Sequence, residues 1–330
     1  MIAFPPAAHQ IEIRRYRLRL ARPLRTAHGV LEVREGFLVL ARDGDRTGRG
    51  DAAPLPEMGT ESVQECLEAL GAARFDALPR PPAARSAVKQ ALLDLSAQEA
   101  AVPLARLLHP GAPLEVPASA LLSAQTVSEL AREAQRAVAE GFTTLKLKVG
   151  FEDDFARAAV VRDAVGPRVK LRLDANGAWD AATALRKLRE LAPLGIELCE
   201  QPTPDLAGLE RSPVPIAADE MLAVDPDAAL QRAQFVVLKP SLLGGLDRAF
   251  ELAQRAHHRG LGVIVTTALD SLVGRAGAIH LAAAVLALGP QPGAGIATGG
   301  LLAEDLGPDP FVPAEGVVRI PQTPGLGLSP

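Results

Sequence analysis

The chain lacks any apolar run long enough to span a bilayer and any charged-then-apolar leader at its start, so a cytoplasmic location is expected. It is equally short of cysteine: Cys66 and Cys199 lie far apart, which excludes a disulfide scaffold and fits a reducing compartment. The six histidines are scattered without HxxxH pairing, which removes the commonest nitrogen-ligand zinc pattern. Charge of one sign is also missing. The formal net charge is −4 over 330 residues, with acidic and basic positions interspersed, so neither nucleic acid nor a membrane surface is an expected partner. A small molecule is. The sequence leaves the oligomeric state open.

What the chain does have is apolar content, 48% of its residues, enough for one barrel-sized domain and a smaller one. The first forty-odd residues, including IEIRRYRLRL and EGFLVLAR, alternate with period two and read as antiparallel strands, with a turn at DGDRTG. Helices follow: Ser62 with Glu65 has the form of a capping box, and Val88, Leu92 and Leu95 recur at helical spacing. From about Glu115 the texture changes to short apolar strands alternating with helices. EVPASALL reads as a strand, Thr126 with Glu129 as a second capping box, and LKLKV as the next strand. Further strands are expected to end near Asp174, Glu200, Asp219, Lys239 and Thr267, at intervals of roughly 19 to 28 residues that suit one strand and one returning helix. No GxGxxG follows the first of them, so a closed (β/α) barrel is favoured over a doubly wound sheet. The expected division is an α+β unit over 1–113, a barrel over 114–305, and a Pro- and Gly-rich tail over 306–330 that packs back on the N-terminal unit.

In such a barrel the ends of the strands carry the chemistry. Asp174, Glu200 and Asp219 end three consecutive strands and could converge at one rim, where oxygen ligands without histidine or cysteine favour Mg²⁺ over Zn²⁺. The competing reading makes each carboxylate a helix N-cap or a surface charge; the serial placement of three favours the metal. Lys148, one strand earlier, and Lys239, one strand later, would face each other across the lumen. Lys146 lies two residues before Lys148 and on the same face. Beside Lys148 its charge would favour neutral amine there, while the carboxylates push the other way.

The ordered motifs KLK, DAN, EQP, ADE and LKP resemble the enolase superfamily in its muconate-cycloisomerase-like branch, over nearly the whole chain. The resemblance implies an α/β fold, a modified (β/α)7β TIM-like barrel with an N-terminal α+β capping domain completed by the C-terminal tail. Within that branch PLRTAHG, GRGDAAPLPEMGTES, RLDANGAW, TTALDSLVG and IATGGLLAEDL are most similar to the o-succinylbenzoate synthases of menaquinone biosynthesis. It implies that Asp174, Glu200 and Asp219 hold Mg²⁺, with Mn²⁺ a possible substitute, and that Lys148 removes the proton α to a carboxylate while Lys239 lies opposite. It also implies substrate contacts from Lys146, Arg172, Asn176, Thr266, Thr267 and Ser271, the substrate being a small carboxylate. The implied reaction is a dehydration through a metal-stabilised enediolate.

Thr266, Thr267 and Asp270 stand where relatives commonly carry serines and a glutamate, and Ala297 where they carry an aspartate. The same residues could racemise N-succinylamino acids or epimerise dipeptides, although IATGG offers no carboxylate for a peptide amine. From another class, a Schiff-base aldolase barrel needs one desolvated lysine and has no use for three carboxylates; a barrel that binds without catalysis would not keep every position filled. His28 and Thr26 are candidates for a loop over the substrate, Cys199 and Trp179 for packing.

Overall fold

The computed structural model describes residues 10–26, 29–74 and 77–329. His28 lies outside them, as does the side chain of Thr26, so the proposed substrate loop is not assigned.

The alternating N-terminal segments form a three-stranded antiparallel sheet of β1 (Gln10–Thr26), β2 (Gly29–Asp43) and β3 (Arg46–Ala52). The β2–β3 turn falls within DGDRTG, with Gly44 at φ +56°, a conformation that costs glycine little. One face of this sheet packs on the helix Pro82–Glu99 through Phe37, Val39, Ala87 and Ala91, a core separate from that of the barrel. Gly48 and Gly50 let the helix approach closely: a Cβ at Gly50 would clash with the Ala87 carbonyl. Both expected capping boxes form, Ser62 with Glu65 and Thr126 with Glu129.

The strand expected across EVPASALL divides in two. Pro117 cannot donate to a ladder, and the chain changes sheets after it. β4 (Glu115–Pro117) pairs antiparallel with the tail strand, and β5 (Ala120–Leu122) opens the barrel. There follow β6 (Thr144–Lys148), β7 (Lys170–Asp174), β8 (Ile196–Glu200), β9 (Ile216–Ala218), β10 (Phe235–Leu238) and β11 (Gly262–Val265). They pair in parallel and in sequential order. Residues 294–295 close the circle: Gly295 bridges to Thr266 beyond β11, and Ala294 bridges to Ala118 before β5. The expected strand ends at Lys148, Asp174 and Glu200 are the observed ones, and Asp219 and Lys239 fall one residue beyond their strands.

The tail strand β12 (Val317–Arg319) pairs with β4, so the tail contacts the barrel entrance as well as the N-terminal unit. Beyond it, the Leu326 N–H donates to Asp94 of the Pro82–Glu99 helix. No helix among the described residues is long and apolar enough to cross a membrane.

Candidate active site

Period-two alternation sorts each barrel strand into an outward and an inward face. Leu145, Leu147, Leu171 and Leu173 are buried against the surrounding helices, which leaves Lys146, Lys148, Arg172 and Asp174 for the lumen. On β8 to β11 the inward layer is apolar, made of Leu198, Ala217, Val237 and Ile264. Two residues further on, those strands present Glu200, Asp219, Lys239 and Thr266. The hydrogen-bond ladder runs past the strand ends, with Val149 N–H donating to the Asp174 carbonyl and Ala175 N–H to that of Glu200, so successive ends stay in step.

A cavity of about 270 Å³ opens at this C-terminal face. Its floor includes Lys146, Lys148, Asp174, Asn176 and Lys239, and its far wall Thr266 and Thr267. Glu200 and Asp219 lie beneath it, almost wholly buried. Eight strand positions make β6 and β10 diametrically opposite, so Lys148 and Lys239 enter from opposite sides.

The lysines differ in what they touch. The Lys146 ammonium lies 3.0 Å from Asp174 Oδ2 and 2.5 Å from Glu200 Oε2, and that of Lys239 lies 2.6 Å from Asp219 Oδ2. Lys148 makes no hydrogen bond or ion pair among the described residues. Burial alone would drive Lys146 toward neutral amine, but Asp174, Glu200 and Asp219 outweigh it and hold its pKa above the ordinary lysine value. Lys239 is raised in the same way, burial being overcome by Asp219 and Glu220. Burial opposes the ionised form of Asp174 too, and Lys146 and Lys239 reverse that, lowering its pKa. Glu200 is raised, by burial and by the two neighbouring carboxylates. The charge of Lys146 is therefore taken up by carboxylates below Lys148, where the alternation by itself suggested a cationic neighbour for it.

The donor set fits a hard divalent cation: three carboxylates from adjacent strands, all oxygen, with ammonium groups lying against them where a cation would lie. Lys146 bridges Asp174 and Glu200 while Lys239 pairs with Asp219, and no cluster of three acidic, histidine or cysteine groups closes among the described residues.

Two expected substrate contacts lie elsewhere. Arg172 is buried one layer below the cavity, its Nε 2.6 Å from Glu197 Oε2 and its Nη1 donating to the Gly293 carbonyl. The β7–β8 register shifts at this point, so that Glu197 is the extra residue of a bulge. Ser271 caps the helix Leu272–Leu286 and is bound through its N–H and hydroxyl to Asp51 of β3, 2.9 Å in each case, so it joins the two units and does not line the cavity. Asn176 lines the cavity with Nδ2 donating to Glu220. Cys199 and Trp179 are packed.

Sequence reasoning missed the roof: Leu31, Leu55, Glu57 and Met58 come from the N-terminal unit, and Leu269 and Leu301 from barrel loops. Buried Arg34 ties the two parts together, donating to the carbonyls of Ala53, Pro54 and Leu269. No motif marked Arg34, because its partners are all backbone. Glu220 also lines the cavity, and burial together with adjacent Asp219 pushes its carboxyl up to about 7; its place next to Asp219 in ADE was the available signal.

Residues 129–330 match the family model described as Enolase C-terminal domain-like, and residues 8–77 that described as MenC, N-terminal domain. The o-succinylbenzoate synthase of Thermobifida fusca is 43% identical over 57% of this chain, a match that spans 62% of that protein. The L-Ala-D/L-Glu epimerase of Bacillus subtilis is 31% identical over 83% of this chain and 84% of its own length. Among solved structures, a dipeptide epimerase from Enterococcus faecalis complexed with Mg and the dipeptide L-Leu-L-Tyr superposes with a TM-score of 0.85 at 28% identity, over 96% of this chain and 98% of that one.

Proposed function

The chain belongs to the enolase superfamily, in its muconate-cycloisomerase-like branch, and from that premise we propose that it is a Mg²⁺-dependent o-succinylbenzoate synthase. The observation that carries the chemistry is Lys148, whose amino group makes no ion pair among the described residues, in a cavity whose other two lysines are held by carboxylates. Asp174, Glu200 and Asp219 are the residues to hold the cation. When bound, Mg²⁺ supplies positive charge where negative charge grows on the substrate carboxylate as its α-proton leaves.

Lys148, as neutral amine, takes the α-proton of 2-succinyl-6-hydroxy-2,4-cyclohexadiene-1-carboxylate and returns it to the departing hydroxide on the same face of the ring. Water leaves and 2-succinylbenzoate remains, with aromatisation as the driving force. Lys239, held as ammonium by Asp219, faces the anionic intermediate from the other side of the barrel. The apolar roof of Leu31, Leu55 and Met58 suits a ring and keeps water from it.

The choice of dehydration over epimerisation is supported by the MenC-like N-terminal match, by the Thermobifida relative, and by Ala297 and Thr298 on the cavity wall, which give no carboxylate for a peptide amine. One observation favours a second reading, racemisation or epimerisation of an acylated amino acid: Glu57 in the roof offers a carboxylate to a cationic substrate group. The deciding experiment incubates the protein and Mg²⁺ with the cyclohexadiene and, separately, with N-succinylamino acids and dipeptides in D₂O. EDTA-sensitive loss of the diene absorbance supports the synthase. Its absence, with deuterium entering an amino-acid α-carbon, establishes the second reading instead.

A further inference from the structure

Gln201 follows Glu200 in EQP, and its role is separate from ligation. It is a non-glycine residue at φ +37°, a left-handed backbone that is strained for a residue with a side chain and persists only where its surroundings hold it. The side chain is almost wholly buried, and every polar atom is used. Oε1 accepts the N–H of Asp219 at 2.9 Å and that of Met221 at 3.3 Å. Nε2 donates to the carbonyls of Thr203, 2.8 Å away, and Pro204, 3.0 Å away. Its own N–H donates to Ala217 and its carbonyl accepts the Gly177 N–H at 2.6 Å.

These six bonds reach β9 itself and the loops that follow β7, β8 and β9, the three strands at whose ends Asp174, Glu200 and Asp219 lie. We propose that Gln201 is the positioning residue that sets the mutual placement of the three carboxylates, by fastening the backbone at Asp219 and at Gly177 to the residue after Glu200. The inference rests on reading those carboxylates as the divalent-cation ligands. Asp219 needs this fastening most, because β9 ends at Ala218 and Asp219 lies beyond the strand ladder. Asp174 and Glu200 are the last residues of paired strands and are held in register by Asp174↔Glu200 pairing. Without the Gln201 amide, two buried N–H groups beside Asp219 lose their acceptor, and that loop must turn to find another.

The test uses Mn²⁺ as probe, its affinity read by the free-ion electron paramagnetic resonance signal at 25 °C, with thermal unfolding measured in parallel. Gln201→Met keeps the volume and removes the clamp; Gln201→Gly removes the clamp and relieves the positive φ. Both are expected to bind Mn²⁺ about 10- to 100-fold more weakly than the unaltered protein. Lowered melting temperature with unchanged Mn²⁺ affinity overturns the proposal and leaves Gln201 a purely structural residue. Should Gln201→Met fail to fold, Gln201→Gly decides. In the unaltered chain the Asp219 and Met221 amides are expected to exchange as slowly as those of β8, and rapid exchange overturns the proposal without any variant. Failure of the unaltered protein to bind Mn²⁺ at all overturns the metal reading itself, a separate outcome.

Discussion

Lys146, Lys148 and Lys239 bring the same side chain into one barrel mouth, yet their neighbours give them different surroundings. Lys146 and Lys239 are counter-ions, fixed by Asp174, Glu200 and Asp219. Lys148, at the strand end two residues above Lys146, makes no ion pair among the described residues and is the proposed base. Lys148→Ala is expected to lower kcat about 10²- to 10⁴-fold while leaving Mg²⁺ affinity close to that of the unaltered protein, as steady-state rates and calorimetric titration would read. An undiminished rate would remove Lys148 from the reaction. The sequence placed Lys146 and Lys148 on one face by alternation alone. It gave no sign that Lys146 reaches across to two carboxylates, because that depends on side chains of three strands meeting in one lumen.

At the scale of elements, single buried polar groups join the N-terminal unit to the barrel. Asp51 of β3 accepts from Tyr16 at 2.6 Å and from Ser271 at the start of the Leu272–Leu286 helix. Farther along that helix, His280 Nδ1 accepts the N–H of Ala105 at 2.9 Å, and Nε2 lies 3.1 Å from the Leu326 carbonyl. This arrangement requires the neutral ring protonated on Nε2. Burial pushes the His280 pKa from 6.5 down to about 4. In that interval the unfolded chain binds a proton that the folded chain refuses, so the stabilising contribution is complete above pH 6.5 and is lost as pH falls to about 4. The unaltered protein is expected to lose about 3 kcal/mol relative to His280→Gln over that range, measured by urea unfolding at several pH values. A constant difference between the two would contradict the assignment. His280 carried no sequence signal beyond lying in an apolar helix, because both of its partners are backbone groups far away in the chain.

At the scale of the whole molecule, the cavity exists because two units meet. Barrel strands supply the charged floor, while the N-terminal unit supplies Leu31, Leu55, Glu57 and Met58 above it. On the proposed reading, a cation joining carboxylates of three strands would bind the folded barrel and not the open chain, so Mg²⁺ at about 100 times its dissociation constant should stabilise the protein by about 2.7 kcal/mol. A rise in melting temperature that EDTA reverses would show it; an unchanged melting curve would count against the metal site. The sequence by itself determined the barrel, since period-two apolar runs separated by helical stretches leave few other ways to bury both faces of each strand. It also determined which residues stand at the strand ends, because that follows from alternation and from where each apolar run stops. Only the tertiary structure decided the division of EVPASALL, the withdrawal of Arg172 and Ser271 from the cavity, and the roof. Each of these depends on partners distant in the chain: the tail strand β12 for β4, Glu197 for Arg172, Asp51 for Ser271, and the carbonyls gripped by Arg34 for the roof. Local pattern fixes which way a side chain points, and packing decides what it meets there.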